Sequence, residues 1–288
     1  MTRQHLALMM FINLVWGFAL IASKVGLDHF PPMMFTAFRF LLIIAVLFPF
    51  LRLHEGRMKQ VLIIAICAGP LGFGFFFAGL SLSNPSVVAV VSQLGVPFAT
   101  IMSVFFLGEQ VRWRRWLGIA LSFFGVMVIS FDPVVFHFWT GVLCVVISAL
   151  VGSVGTIFQR RIKNVGVFEM QAWIAVVAGP LMLGMSLAFE SDHWAIVQSA
   201  SWLNWSGVFY TAFASSLIGH AGIYYLLQRY EVTQTAPLTL LSPIITVIFS
   251  VLLLGDVVTL RMLIGAFITL TGVFIVSLRQ KQIVDTGP

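Results

Sequence analysis

The chain alternates between long apolar stretches and short polar connectors. Each stretch spans about 18–23 residues, enough for a helix to cross ~30 Å of hydrocarbon at ~1.5 Å per residue. The stretches lie at about 6–26, 32–51, 60–81, 86–107, 113–131, 138–158, 168–189, 205–227, 233–254 and 259–278. None shows the alternation over about ten residues that a membrane β-barrel needs. The pattern therefore predicts an all-α integral membrane protein with ten transmembrane helices.

The composition agrees with a lipid environment. Of 288 residues, 60% are hydrophobic and 9% charged, whereas about a quarter of a soluble domain is charged. The basic residues lie in short clusters between apolar stretches, which disfavours nucleic-acid binding. Cys67 and Cys144 lie inside apolar stretches, and no spacing of Cys and His suggests a metal site or a cofactor. The N-terminal stretch is too long for a signal peptide and lacks a cleavage site, so we expect it to stay as the first helix.

The basic residues also predict the orientation of the helices. With the N-terminus inside, Lys24 and Arg261 fall on the outer side and thirteen other lysines and arginines on the inner side. The thirteen are Arg3, Arg52, Arg57, Lys59, Arg112, Arg114, Arg115, Arg160, Arg161, Lys163, Arg229, Arg279 and Lys281. By the positive-inside rule, both termini are expected in the cytoplasm.

The second half of the chain repeats the first. FLGEQVRWRRWLG at 106–118 and LLGDVVTLRMLIG at 253–265 align at an offset of 147 residues, and the first copy has three arginines where the second has one. Five spans cross a membrane an odd number of times, so the second copy enters inverted and loses its positive charges. We predict two inverted five-helix repeats, 1–134 and 135–288. This is the architecture of alternating-access transporters, although repeats also occur in channels.

The segment VWGFALIASKVGLDHFPPMMFTAFRF at 15–40 resembles the EamA family of the drug/metabolite transporter superfamily. FLGEQV at 106–111, LLGDVV at 253–258 and GHAGIYYLLQRYEVTQTAPLTLLSPI at 219–244 resemble it too, and the likeness covers essentially all of 5–280. Within the family, the likeness is to bacterial exporters of cysteine, O-acetylserine and related amino acids. The resemblance implies ten helices in two inverted repeats, an inner-membrane location and efflux of small metabolites. It also suggests that the first, third, fourth, sixth, eighth and ninth helices surround the cavity.

Polar residues in the first, second and eighth spans are candidates for substrate binding. Asn13, Trp16 and Gly17 share one face of the first span. Trp16 and Gly17 either line a pocket or let two helices pack closely. Arg39 lies about 10 Å into the bilayer, where it needs a partner or a wet cavity. It suits a carboxylate-bearing substrate, a bond to helix-end carbonyls, or snorkelling outward.

His220 and Tyr224 recur four residues apart in the eighth span. A histidine there either moves a proton or is held by a neighbouring hydroxyl.

The fourth and ninth spans contribute Gln93, and Thr239 with Ser242, as further binding candidates. Gln93 both donates and accepts, as an amino acid requires. Pro97 and Pro243 each remove a backbone donor in mid-helix, which favours either a hinge or a packing kink.

The function predicted from these features is secondary transport that exports amino acids or related small metabolites by alternating access. No carboxylate lies convincingly in mid-span, and no catalytic set or nucleotide-binding loop accompanies His220, so we predict no enzyme and no direct use of ATP. A channel-like permease and a lipid-modifying membrane enzyme are the alternatives. The expected partners are the small-molecule substrate and membrane lipids, with no nucleic acid; a homodimer is left open.

Overall fold

The computed structural model describes residues 1–162, 165–227, 229–230 and 232–278, without the side chains of Arg160, Tyr224, Leu227, Val232, Thr233 and Ala236. The long helical stretches are labelled in chain order. The continuous ones are α1 Arg3–Leu27, α2 Pro32–Leu47, α5 Trp113–Ser130, α6 Trp139–Arg161, α7 Val167–Phe189 and α10 Leu260–Ser277. The others consist of successive segments: α3 of Met58–Ile66, Cys67–Phe73 and Gly74–Ser81; α4 of Pro85–Val91, Ser92–Leu94 and Gly95–Leu107; α8 of Trp202–Phe209, Tyr210–Gly219 and His220–Leu227; α9 of Val232–Thr239, Leu241–Phe249 and Ser250–Leu254.

The described residues form helices and no strand, as the sequence predicts. Eight of the described helical stretches are long and apolar enough to cross a membrane. They are α1, α2 with its continuation to Phe50, α3, α4, α6, α7, the 237–254 part of α9, and α10. The chain is therefore an all-helical, multi-pass membrane protein. Helices α5 and α8 lie at the fifth and eighth predicted spans, and that they too cross a membrane stays a prediction.

Helices from the two halves of the chain pack in matching pairs. Helix α2 packs along α7 and α5 along α10, while α1 packs on α8 and α9, and α6 packs on α3 and α4. Exchanging each helix for its counterpart five places along turns the α1–α8 and α1–α9 pairs into the α6–α3 and α6–α4 pairs. The α2–α7 and α5–α10 pairs each map onto themselves. The α5–α10 pair is especially close, because a Cβ on Gly118 would lie 2.8 Å from the carbonyl oxygen of Gly272.

Several helices are interrupted in mid-length. Pro97 in α4 follows a 3₁₀ turn at Ser92–Leu94, and Pro243 in α9 follows a break at Leu240. Neither proline can donate to the carbonyl four residues earlier, which explains why the helix changes its turn there. Helix α8 contains a π-helical segment, Tyr210–Gly219, without any proline. These interruptions place irregular backbone within the protein, where neighbouring helices can satisfy it.

Candidate functional site

Polar side chains from three helices meet at Ser215 and Ser216, inside the π-helical segment of α8. Trp16 Nε1 on α1 donates a hydrogen bond of 3.2 Å to the Ser215 carbonyl. Gln171 Nε2 on α7 donates to the Ser216 carbonyl over 3.3 Å. His220 Nδ1 lies 3.0 Å from the same carbonyl and, because a carbonyl only accepts, this nitrogen carries the proton. The π-turn thus offers carbonyl oxygens to side chains, as such turns often do at functional sites.

Arg39 reaches the same place from α2. Its Nη2 donates a 2.8 Å hydrogen bond to Ser216 Oγ, which itself donates over 2.8 Å to the Thr211 carbonyl. The side chain is 3% exposed, and its Nε and Nη1 have no hydrogen-bond partner among the described residues. We refer to Arg39, Ser216, His220, Trp16 and Gln171 as the Arg39 cluster.

The guanidinium of Arg39 is surrounded by aromatic rings rather than by carboxylates. Its Cζ lies 4.2 Å from the ring centroid of Phe73, and 5.3 Å from those of Phe40 and Phe77. Contacts of this kind stabilise a desolvated cation by about 2 kcal/mol. The ion pairs among the described residues involve other basic groups, so the positive charge of Arg39 is held without a neighbouring anion. Phe73 and Phe77 both lie on α3, so this helix supplies two of the three rings around the cation.

The remaining candidates of the first span lie next to the cluster. Trp16 also contacts the ring of His220 edge-on, with centroids 5.7 Å apart. Asn13, one turn earlier, is fully buried, and its Oδ1 has no partner among the described residues. Gly17 brings α1 against α9, because a Cβ there would lie 2.9 Å from Ile245 Cβ, and Thr246 Oγ1 donates to its carbonyl over 3.0 Å. Trp16 therefore joins the cluster, whereas Gly17 supports close helix packing.

The candidates on α4 and α9 lie at the interruptions of those two helices. Gln93 is half-buried in the 3₁₀ turn before Pro97, while Thr239 and Ser242 flank the break at Leu240. Ser242 lies beside the first-span candidates, because its carbonyl oxygen would be 3.3 Å from a Cβ on Gly17. The side chain of Tyr224 lies outside the described part of the chain. The sequence did not single out Gln171, whose one signal was an amide within a predicted apolar span.

A largely open, apolar cavity of about 910 Å³ lies at the end of the helices where α1 begins. It is lined by the start of α1, the end of α2, the start of α7 and the later part of α8. Leu217 and Ile218, which follow Ser216, form part of its wall. The family resemblance suggested α1, α3, α4, α6, α8 and α9 around the cavity. Which helices surround the bound substrate stays a prediction.

At the opposite end of the helices, two carboxylates, Asp256 and Glu190, join neighbouring helices by hydrogen bonds, and we call these two sets of contacts the clasps. Asp256, in the turn after α9, accepts hydrogen bonds from Ser86 Oγ at 2.8 Å and Ser86 N at 3.3 Å, at the start of α4, and another from Ser250 Oγ. Glu190, after α7, accepts from the backbone N–H groups of Met33 and Met34 at 2.9 and 3.0 Å. Short connectors join α1 to α2 and α3 to α4.

The contacts of Lys24, near the end of α1, show that both clasps lie at the same end of the helices. Its Nζ donates to the carbonyls of Leu80, Ser81 and Ser83, where α3 ends and α4 is about to begin. Both carboxylates therefore cap helix N-termini at the same end.

Comparisons with known proteins give matches that extend over nearly the whole chain. The sequence profile of the EamA-like transporter family matches residues 5–131 and 139–278. A protein of Escherichia coli (strain K12) named "Probable amino-acid metabolite efflux pump" is 26% identical over 100% of both chains. A protein of Salmonella typhimurium with the same name is 29% identical, over 96% of this chain and 95% of its own. One solved crystal structure covers 96% of both chains with a TM-score of 0.64 and 19% identity, which shows a shared fold.

Proposed function

The chain belongs to the EamA-like transporter family, and on that premise we propose that it exports amino acids or related small metabolites by alternating access. The observation that carries the proposal is the Arg39 cluster, where a buried cation retains unpartnered donors. Ser216, which Arg39 contacts, directly precedes Leu217 in the wall of the 910 Å³ cavity. A charge at such a depth costs about 2.5–3.5 kcal/mol on insertion scales and typically marks a substrate path. The names of the Escherichia coli and Salmonella relatives support the substrate class. Because the family and these relatives are transporters, the enzyme alternative is set aside.

The proposed architecture has ten crossings in two inverted halves, 1–134 and 135–288, with both termini inside the inner membrane. The matching helix pairs support it, since exchanging the halves preserves them. Gly108 and Gly255, 147 residues apart, end α4 and α9 with the same left-handed geometry, at φ 67° and 71°. Two such halves provide two conformations of similar energy that open to opposite sides.

In the proposed cycle, the structure corresponds to the conformation that is open towards the inside of the cell. The clasps of Asp256 and Glu190 close one end, and the 910 Å³ cavity lies towards the other. The interruptions before Pro97 and Pro243 serve as hinges at which α4 and α9 bend. Asn13, Trp16, Gly17, Arg39, Gln93, His220, Tyr224, Thr239 and Ser242 form or border the path between the two openings. Substrate and membrane lipids are the partners; a homodimer remains one option for the assembly.

Exchange across a sealed membrane tests this function. Proteoliposomes preloaded with unlabelled L-cysteine, L-homoserine, L-threonine or L-phenylalanine are diluted into the labelled form of the same amino acid. A transporter gives saturable uptake that the internal amino acid accelerates. A channel-like permease gives uptake that neither saturates nor responds to internal substrate. Uptake equal to that of protein-free vesicles for all four amino acids would reject the proposed substrate class.

A further inference from the structure

We propose that Arg39 binds the carboxylate group of the transported molecule, so that the site selects carboxylates over their amides. This inference rests on the proposed function and names the chemistry of the same site. A guanidinium has five N–H donors in one plane, and the structure accounts for one of them, the Nη2 donor to Ser216 Oγ. Nε and Nη1 have no partner among the described residues, although both are buried. Leaving charged donors unpaired in a buried site is costly unless a ligand satisfies them.

The orientation of Arg39 is fixed before any ligand binds. Ser216 Oγ donates its proton to the Thr211 carbonyl, so its lone pairs are available to accept from Arg39 Nη2. The three phenylalanine rings around Cζ hold the plane of the guanidinium. The second N–H of Nη2 forms a pair of parallel donors, either with the N–H of Nε or with an N–H of Nη1. A planar acceptor with two oxygens fits such a fork.

The charge of the site selects a monoanion. The acidic groups of the described residues that form ion pairs contact Lys24, Arg52 or His54, not Arg39. The ligand must therefore supply the negative charge that the protein withholds. One guanidinium in an apolar wall balances one carboxylate, whereas a phosphate dianion would bring an uncompensated charge into the same rings. A carboxylate is thus favoured over phosphate.

Matched ligands test the inference on the purified full-length protein in detergent. The shift of the unfolding midpoint is measured against concentrations of L-threonine, L-threoninamide, L-phenylalanine, L-phenylalaninamide and inorganic phosphate. The amide keeps the side chain and the amino group but loses the negative charge. We expect at least one of the acids to stabilise the protein, with its own amide needing about tenfold to a hundredfold higher concentration. Equal potency of acid and amide, no stabilisation by either acid, or tighter binding of phosphate would each overturn the inference.

Variants assign the effect to Arg39. In Arg39→Gln the preference for the acid should disappear, and in Arg39→Lys it should weaken, because the charge persists without the planar fork. Arg261→Gln removes the same charge at an exposed position on α10 and should keep the full preference. If Arg39→Gln does not fold, Ser216→Ala serves instead, and its loss of the guanidinium's anchor should reduce the preference. Full preference in whichever of these variants folds contradicts the assignment.

The two proposals fail in different ways. Exchange of amino acids and their amides at equal rates would remove the carboxylate subsite and leave the transporter standing. Selective stabilisation by the acids without any exchange across proteoliposomes would keep the subsite and reject transport.

Discussion

The contact between Asp256 and Ser86 gives a sharp prediction about how one end of the protein closes. In Asp256→Asn the side chain keeps its shape and one oxygen but loses its charge. The carboxylate accepts two hydrogen bonds from Ser86, at 2.8 and 3.3 Å, and a third from Ser250 Oγ. One of these donors is a backbone N–H in the first turn of α4, where the helix dipole favours a negative charge.

The expected magnitude follows from those bonds. A hydrogen bond to a charged group contributes about 1.5–3 kcal/mol and a neutral one about 0.5–1.5 kcal/mol. Because Asp256 is only partly buried, we expect the neutral variant to weaken the clasp by about 1–2 kcal/mol in total, or about five- to thirtyfold in the equilibrium between closed and open. In the proposed cycle the open state lacks this clasp, so the population of that state should rise by this factor.

Cysteine accessibility measures the change. Cys67 and Cys144 are first replaced by alanine, and Ala89→Cys then reports from the buried turn of α4 that follows Ser86 on the same face. A membrane-impermeant maleimide should label this cysteine about five- to thirtyfold faster when Asp256 is replaced by asparagine. Asp192→Asn is the control, because Asp192 is an exposed carboxylate at the same end, just after α7. An unchanged labelling rate, or equal acceleration in the control, would refute the reasoning.

Three further predictions concern helix packing and the cluster. Gly272→Leu should lower the free energy of unfolding by about 1–3 kcal/mol, because its side chain forces α5 and α10 apart; the matched control Gly152→Leu, with open space around it, should show no such loss in the same thermal melts. Glu190→Gln should weaken the cap on α2 by about 1 kcal/mol, and unchanged hydrogen exchange of the first backbone amides of α2 would count against it. Trp16→Phe removes the indole donor to Ser215 and should raise the half-saturation concentration for exchange about two- to tenfold; wild-type saturation would contradict a role in binding.

The helices follow from local sequence, and their interruptions do so only in part. Pro32 begins α2 at the predicted residue, and the long apolar stretches become helices because no water is available to the backbone in lipid. The breaks before Pro97 and Pro243 were predictable because proline lacks an N–H group. The π-helical segment of α8 was not, since 210–219 contains no proline. The side chains of α1, α2 and α7 that contact this segment come from distant parts of the sequence.

The candidate site shows the same limit. Arg39, Trp16 and His220 were recognisable singly, because polar groups are costly in an apolar helix. Their meeting at Ser215 and Ser216 involves residues 177 and 199 positions apart, which helical periodicity cannot relate. Periodicity likewise gave Gly17 and Ser242 separately, and only the packing of α1 against α9 shows that they lie side by side.

The antiparallel arrangement of the two halves is the central claim, and the sidedness of two equivalent turns tests it most directly. Arg114 and Arg261 lie 147 residues apart, near the starts of α5 and α10, and both are exposed. Each is replaced by cysteine in the cysteine-free background and treated with an impermeant maleimide in intact cells and in inverted vesicles. The account predicts that Arg261→Cys is labelled in intact cells and Arg114→Cys only in inverted vesicles. Labelling of both from the same side would contradict it.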